Sequence, residues 1–378
     1  MIQSSISIWE EESFFAPRDF LIAGGGLVGL WTALEIKAKN PKAKITIIER
    51  GTIPMGASTR NAGFACFGSP SEMLHDATLF GEDKMWSIVE MRYKGISKIR
   101  KNFRDKVISY DDCGGYECFR NNTHNIDDIS DNLPWLNKGL KRISGEKNSF
   151  TFSNKKLSKF NFAGFDAMVE NKHEGGLHSG KLVQALITKV QSAGIQILFG
   201  IEITGWEDDG NKVSVQANRY SLTAKKLIVT TNALSAKLMP EFNLKPARGQ
   251  VLVTSPIKGL KMKGTFHFEK GFYYFRNLGN RVLIGGARNT AFEQEETTDM
   301  LVTDNIQHKL EQFLSDHILK NTTYDITHRW SGIMGLTCSK LPVVEEVSKN
   351  IIAAIACNGM GVALSPVIAE KVAALSHS

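Results

Sequence analysis

Cysteine is scarce in this chain. Five occur in 378 residues, at positions 66, 113, 118, 338 and 357. The number is odd and the spacing irregular, which argues against a disulfide framework and fits a reducing compartment. Cys113 and Cys118 are too far apart for a paired-cysteine motif, and no histidine cluster completes a ligand set, so no metal is expected. Long hydrophobic runs are missing too. The nearest, residues 351–364, is broken by Asn358-Gly359-Met360-Gly361, so no membrane span is expected. Residues 1–19 carry Glu10, Glu11 and Glu12 without an apolar core of signal-peptide type, and the expected location is the cytoplasm. There is little excess of charge of one sign: 46 Lys and Arg against 39 Asp and Glu give +7. The lysines are spread out, and no aromatic residues interleave a basic patch, so nucleic acid is not an expected partner.

What is present begins at residues 20–50, FLIAGGGLVGLWTALEIKAKNPKAKITIIER. A short apolar run enters Gly24-Gly25-Gly26-Leu27-Val28-Gly29. A helical stretch follows, then a second apolar run ending at Glu49-Arg50. Strand, glycine turn, helix, strand and acid in this order make a dinucleotide fingerprint. Gly24 suits a tight turn, Gly26 a close approach to pyrophosphate, and Gly29 close packing of helix on strand. The N–H groups of the first helical turn, at Leu27 and Val28, face the phosphates. Glu49 stands where an acid accepts ribose hydroxyls.

Residues 51–72 are rich in Gly and Ser and long for a loop, which suggests function. Ser58, Thr59, Arg60, Asn61, Ala62 and Gly63 suit an extended ligand that continues past its phosphates, with Arg60 available to pair with one. Residues 82–106 have helical apolar spacing, and residues 107–165 read as short strands and polar loops, with a polar excursion at 121–131. A helix is expected over 181–193, and alternating strands fill 247–290. Near the end, Asn358-Gly359-Met360-Gly361-Val362 opens a last helix, with Pro366 expected in its first turn. A helix N-terminus there would stabilise the negative edge of a reduced flavin, which separates flavin from nicotinamide as the expected ligand.

The ordered segments GGGLVG…IIER, GASTRNAGF, EGGLHSGKLVQAL, LIVTTNALS, RGQVLV, HRWSGIMGLT…LP and NGMGVALSP resemble the FAD-dependent oxidoreductases that include D-amino-acid oxidase, glycine oxidase and monomeric sarcosine oxidase. The resemblance covers almost the whole chain after residue 18. It implies an α/β fold: a glutathione-reductase-like Rossmann FAD domain with an inserted α+β, mainly antiparallel-sheet substrate domain. The expected division is 1–90, 160–240 and 325–378 for FAD, and 91–159 and 241–324 for substrate. The resemblance also implies that Ile203 and Thr230-Thr231-Asn232 lie near the adenine dinucleotide. It puts Gly332 and Met334 beside the flavin ring and residues 359–362 at its pyrimidine edge. The implied reaction is oxidation of a C–N bond in a small amine or amino acid by hydride transfer to flavin N5, with oxygen or another acceptor completing the cycle. Alternatives are a flavin-dependent step on an RNA-bound or larger substrate, and a non-catalytic electron carrier.

The chain departs from the family where substrate is held. The arginine that grips a carboxylate after the Trp-x-Gly motif is replaced by Met334, and a further arginine falls at Gly359. Gly332 stands at the position of the flavin-linking cysteine, so the flavin is expected to be non-covalent. Leu283 stands near that of the oxygen-activating lysine. Four residues on the alternating strands are candidates to face substrate in their place: Tyr274 and Arg276 on one strand, Arg248 and Gln250 on another.

Overall fold

The computed structural model describes residues 6–121, 126–218 and 220–376. It divides into two compact units, one of residues 1–59, 182–246 and 334–378, the other of residues 60–181 and 247–333.

The first unit is built on a mainly parallel sheet. Strands Val343–Ser348, Ile351–Ile355, Ser221–Val229, Arg18–Ala23, Ile45–Glu49 and Gln196–Phe199 follow one another across it. Only Val343–Ser348 runs antiparallel to its neighbour on this path. Ile45–Glu49 and Ile351–Ile355 are buried at every position. Strands covered on both faces need mostly apolar runs: Ile351–Ile355 is apolar throughout, and Ile45–Glu49 is broken only by Thr46 and its terminal Glu49. Helix Leu27–Lys39 packs against helix Gly361–Leu375. Pro366 lies in the second turn of the latter, not the first as expected. Its missing N–H deprives the Val362 carbonyl of the usual helical donor, and the Ser365 hydroxyl donates there instead, at 3.4 Å.

The second unit is organised on an eight-stranded sheet ordered Ile326–Leu336, Lys245–Thr254, Arg281–Gly286, Tyr273–Leu278, Thr265–Phe268, Gly115–Phe119, Ala167–Asn171 and Phe150–Phe152. From Lys245–Thr254 onward the pairing is antiparallel except between Thr265–Phe268 and Gly115–Phe119. Phe266 and Phe275 stack at 5.0 Å in its core, which Asp304–Phe313 covers through Ile306, Leu310 and Phe313. The expected domain boundaries differ from these units. Residues 60–90 fall in the second, where helices Pro70–Phe80 and Glu82–Asn102 pack with each other and with helix Ile126–Ser144, and so do residues 160–181, whose strand Ala167–Asn171 pairs with Gly115–Phe119 and Phe150–Phe152. That last helix was not expected. Its Ile129, Leu133, Leu136 and Leu140 form a buried stripe, but Asp, Asn and Pro134 mask it in sequence. Of the expected polar excursion, residues 122–125 lie outside the described residues and 126–131 open this helix. Among the described residues no helix is long and apolar enough to cross a membrane.

Candidate active site

Within the first unit the glycine turn is under tight constraint. Gly24 has φ +116°, and a Cβ there would lie 2.7 Å from Thr230 Oγ1. A Cβ on Gly29 would collide with the Gly24 carbonyl oxygen. Gly26 has little room for a side chain either. A Cβ there would come within 2.8 Å of Ser58 Oγ, which accepts the Leu27 N–H at 2.9 Å. The helix start is therefore capped by Ser58 at its first donor. The Val28 and Gly29 N–H groups have no protein acceptor among the described residues. Glu49 is buried and accepts the N–H groups of Gly25 and Gly51, each at 2.9 Å. Those bonds hold the carboxylate in place and leave it lone pairs for hydroxyl donors. Arg50 instead points to an exposed pairing with Glu202 at 3.7 Å.

Thr230 Oγ1 donates within reach of the carbonyls of Ala23 and Gly24, at 2.9 and 3.1 Å, which closes the sheet end against the turn. Thr231 shares a 2.6 Å hydrogen bond with Ser235, and Asn232 takes a left-handed φ of 50°. Ile203 begins the strand Ile203–Asp208 and is nearly buried. Thr59 Oγ1 donates to the Pro54 carbonyl at 2.6 Å. Met334 and Gly359 are neighbours: a Cβ on Gly359 would sit 3.3 Å from the Met334 sulfur. Met360 caps helix Gly361–Leu375, and Val362 lies in its first turn.

Within the second unit Arg60 is tied to the strand that carries Gly332. It donates to the Ser331 carbonyl at 2.9 Å, while Trp330 Nε1 donates to the Arg60 carbonyl at 2.8 Å. Nη1 of the expected phosphate cation is thus engaged by a backbone carbonyl. Asn61 Oδ1 accepts from the Gly63 N–H at 2.9 Å and from Ser179 Oγ at 2.6 Å. Ala62, Tyr274 and Trp330 pack on an apolar cluster of Val251, Val253 and Leu283. Phe64 meets Tyr274 edge-on at 5.9 Å.

Three of the four substrate-facing candidates have other work. Arg248 is buried and holds Glu295 with two donors, Nε at 2.9 Å and Nη2 at 2.8 Å. Gln250 donates to the same carboxylate at 3.0 Å and accepts the Thr303 N–H at 2.9 Å. Arg276 is buried, and its Nη1 donates to the carbonyls of Gly63 and Leu177 at 2.6 and 3.0 Å. Burial lowers its pKa, and the two carbonyls leave it fastening backbone rather than reaching for an anion. Tyr274 does share the Arg276 face. Its phenol is pushed up to about 12 by burial and stays neutral.

Sequence reasoning missed Arg288. It follows strand Arg281–Gly286, after Ala287 at φ 60°, and its guanidinium lies over the Phe292 ring at 4.8 Å. Among the described residues no carboxylate lies within ion-pair distance of it, and Glu295 and Glu296 act on it from further off. Burial lowers its pKa, and its positive charge works against the upward shift of Tyr274. The signal in sequence was a lone Arg beside a glycine pair, which nothing distinguishes from a surface cation.

A family model described as FAD dependent oxidoreductase matches residues 19–375, and the chain belongs to that family. Its cofactor is FAD. The glycine turn, the unpaired helix N–H groups and the buried Glu49 fit the adenosine diphosphate part of that cofactor. A probable oxidoreductase OrdL of Haemophilus influenzae is 23% identical over 372 residues, covering 94% of this chain and 82% of that protein. Among solved structures, L-proline dehydrogenase from P. horikoshii matches with TM-score 0.77 and 16% identity, over 96% of this chain and 94% of that one. Glycine oxidase from Geobacillus kaustophilus matches with TM-score 0.71 and 20% identity, over 96% and 95%. At these identities the structural likeness establishes the fold.

Proposed function

We propose that the protein oxidises the C–N bond of an amino acid that keeps a free carboxylate, and that Arg288 holds that carboxylate. The observation that carries the reading is a half-buried guanidinium with an aromatic ring on one face and, among the described residues, no carboxylate within ion-pair distance, Glu295 and Glu296 acting on it only from further off. A desolvated cation gains more from an arriving carboxylate than an exposed one does. Its presence answers the loss of arginine at Met334 and Gly359. Related proteins named for glycine oxidase and D-amino acid dehydrogenase support an amino-acid substrate.

Bound FAD supplies a two-electron acceptor for the hydride that leaves the carbon next to nitrogen. The groups that would hold it are Gly24–Gly29, Glu49, Ser58 and Thr230–Asn232, with Gly359–Val362 at the ring's pyrimidine edge, and no cysteine bond. The remaining work falls to the chain's own side chains. Tyr274, neutral and flanked by Phe64, forms an apolar wall with one hydroxyl for orientation. Trp330 and Leu283 extend that wall through the apolar cluster they share with Tyr274. The substrate nitrogen arrives neutral, the iminium left by loss of hydride releases its proton to water, and the imine is hydrolysed there. With Leu283 where a lysine would activate oxygen, another electron acceptor is favoured.

The test is an anaerobic flavin-bleaching screen with amino acids and their decarboxylated amines in matched pairs. Amino acids should bleach the flavin and their amines should not. Arg288→Met should lower kcat/KM for the best amino acid by roughly 10- to 100-fold, as loss of a charge-assisted contact implies. Equal use of both members of each pair, or bleaching only by a protein donor, would sink the reading.

A further inference from the structure

We propose that Cys66, Glu174 and His267 form a zinc site in the second unit. The backbone builds it. Phe64 pairs with Gly176 and Ala65 with Gly175, antiparallel, so the register brings Cys66 opposite Glu174. Strand Thr265–Phe268 supplies His267. One ligand atom from each residue lies within 4.8 Å of the other two, and all three residues are buried. His267 Nε2 is 3.5 Å from Glu174 Oε2, and this buried nitrogen has no hydrogen-bond partner.

At 3.5 Å the contact with Glu174 is too long to satisfy that nitrogen, which is costly in the interior. A metal between thiolate, imidazole and carboxylate would satisfy all three at once. The mixed sulfur, nitrogen and oxygen set suits a divalent ion of borderline softness, above all zinc. Ligand atoms this close need only small movements to surround one ion tetrahedrally, with water as the fourth ligand. Charge also balances, because a thiolate and a carboxylate neutralise the dication, the thiol proton leaving on binding. The carboxylate is already oriented: Glu174 Oε1 accepts the Phe67 N–H at 3.2 Å, which turns Oε2 toward His267. Arg92, a cation that acts on the thiol, is engaged by Glu72 at 3.1 Å. The site would pin Phe64, two residues before Cys66 and 5.2 Å from the His267 ring, and so steady the wall beside Tyr274.

The untagged protein, produced with added zinc and dialysed, should hold about one zinc per chain by elemental analysis. Cys66→Ser and His267→Gln should hold less than about a tenth of that, with flavin content and circular dichroism reporting their folding. Protein produced with cobalt should show tetrahedral cobalt bands in the red, clear of flavin absorption. X-ray absorption of the zinc-loaded wild type should read one sulfur and three lighter ligands, a result that needs no variant to fold. Wild type that carries neither metal overturns the proposal and leaves a buried hydrogen-bonding cluster only. Metal retained equally by folded Cys66→Ser and His267→Gln also overturns it. None of these readouts depends on amino-acid oxidation.

Discussion

A methyl group at Gly29 would strike the carbonyl oxygen of Gly24, and backbone cannot step aside as a flexible side chain can. Gly29→Ala should therefore purify with little or no flavin and unfold earlier in urea, because the turn and helix must separate. A yellow variant of normal stability would refute the placement. Glu117 offers a second test at this scale. It is buried, accepts the Ser71 N–H at 2.9 Å and also bonds the Ser71 hydroxyl, and burial pushes its pKa up to about 7. A carboxyl raised in the fold binds its proton more tightly there than when unfolded. Its contribution is thus full below the unfolded pKa of 4.5 and is lost as pH rises towards about 7. Glu117→Gln cannot ionise. Relative to wild type it should gain on the order of 1–3 kcal/mol between pH 5 and pH 8, read from urea midpoints. A difference that stays flat across that range would show the carboxyl titrating normally.

Elements are fastened by polar contacts as much as by the core. Strand Lys245–Thr254 is locked to the segment before helix Asp304–Phe313 by Arg248, Gln250 and Glu295, all buried. Removing one partner strands a charge in the interior. Arg248→Met should cost about 3–5 kcal/mol, and Arg248→Met with Glu295→Leu should recover much of it. Denaturation of the single and double variants measures both, and a single variant as stable as wild type would deny the lock. Arg276 fastens in the same way, joining strand Tyr273–Leu278 to backbone at Gly63 and Leu177. Alternation put Arg276 beside Tyr274 on one face, and that is how the strand lies. Alternation says nothing of what stands opposite, and here that is two carbonyls.

At the scale of the whole molecule, FAD binds the folded chain and not the unfolded one. At free FAD a hundredfold above its Kd, unfolding should cost about 2.7 kcal/mol more than in the stripped protein. Thermal melts of stripped and reconstituted protein check this, and a melting temperature indifferent to FAD would contradict it. The parallel sheet, its glycine turn and Glu49 were legible because their signals are local: an apolar run, a glycine spacing, an acid at a known distance. The helix Ile126–Ser144 was not, since its apolar stripe is narrow and crossed by polar residues and Pro134. Arg288 was hidden for another reason. Whether an arginine has a partner depends on chain that is distant in sequence.

The order of residues alone determined the nucleotide turn, the class of cofactor and the run of alternating strands, because periodicity and glycine spacing act over a few neighbours. Tertiary structure decided which charges are free and which are spent. It paired Arg248 with Glu295, held Arg276 on backbone carbonyls, left Arg288 with no carboxylate at ion-pair distance among the described residues, and brought Cys66, Glu174 and His267 within 4.8 Å. Charge pairing and ligand geometry are set by distance in space, and residues 66, 174 and 267 become neighbours only when the sheets form.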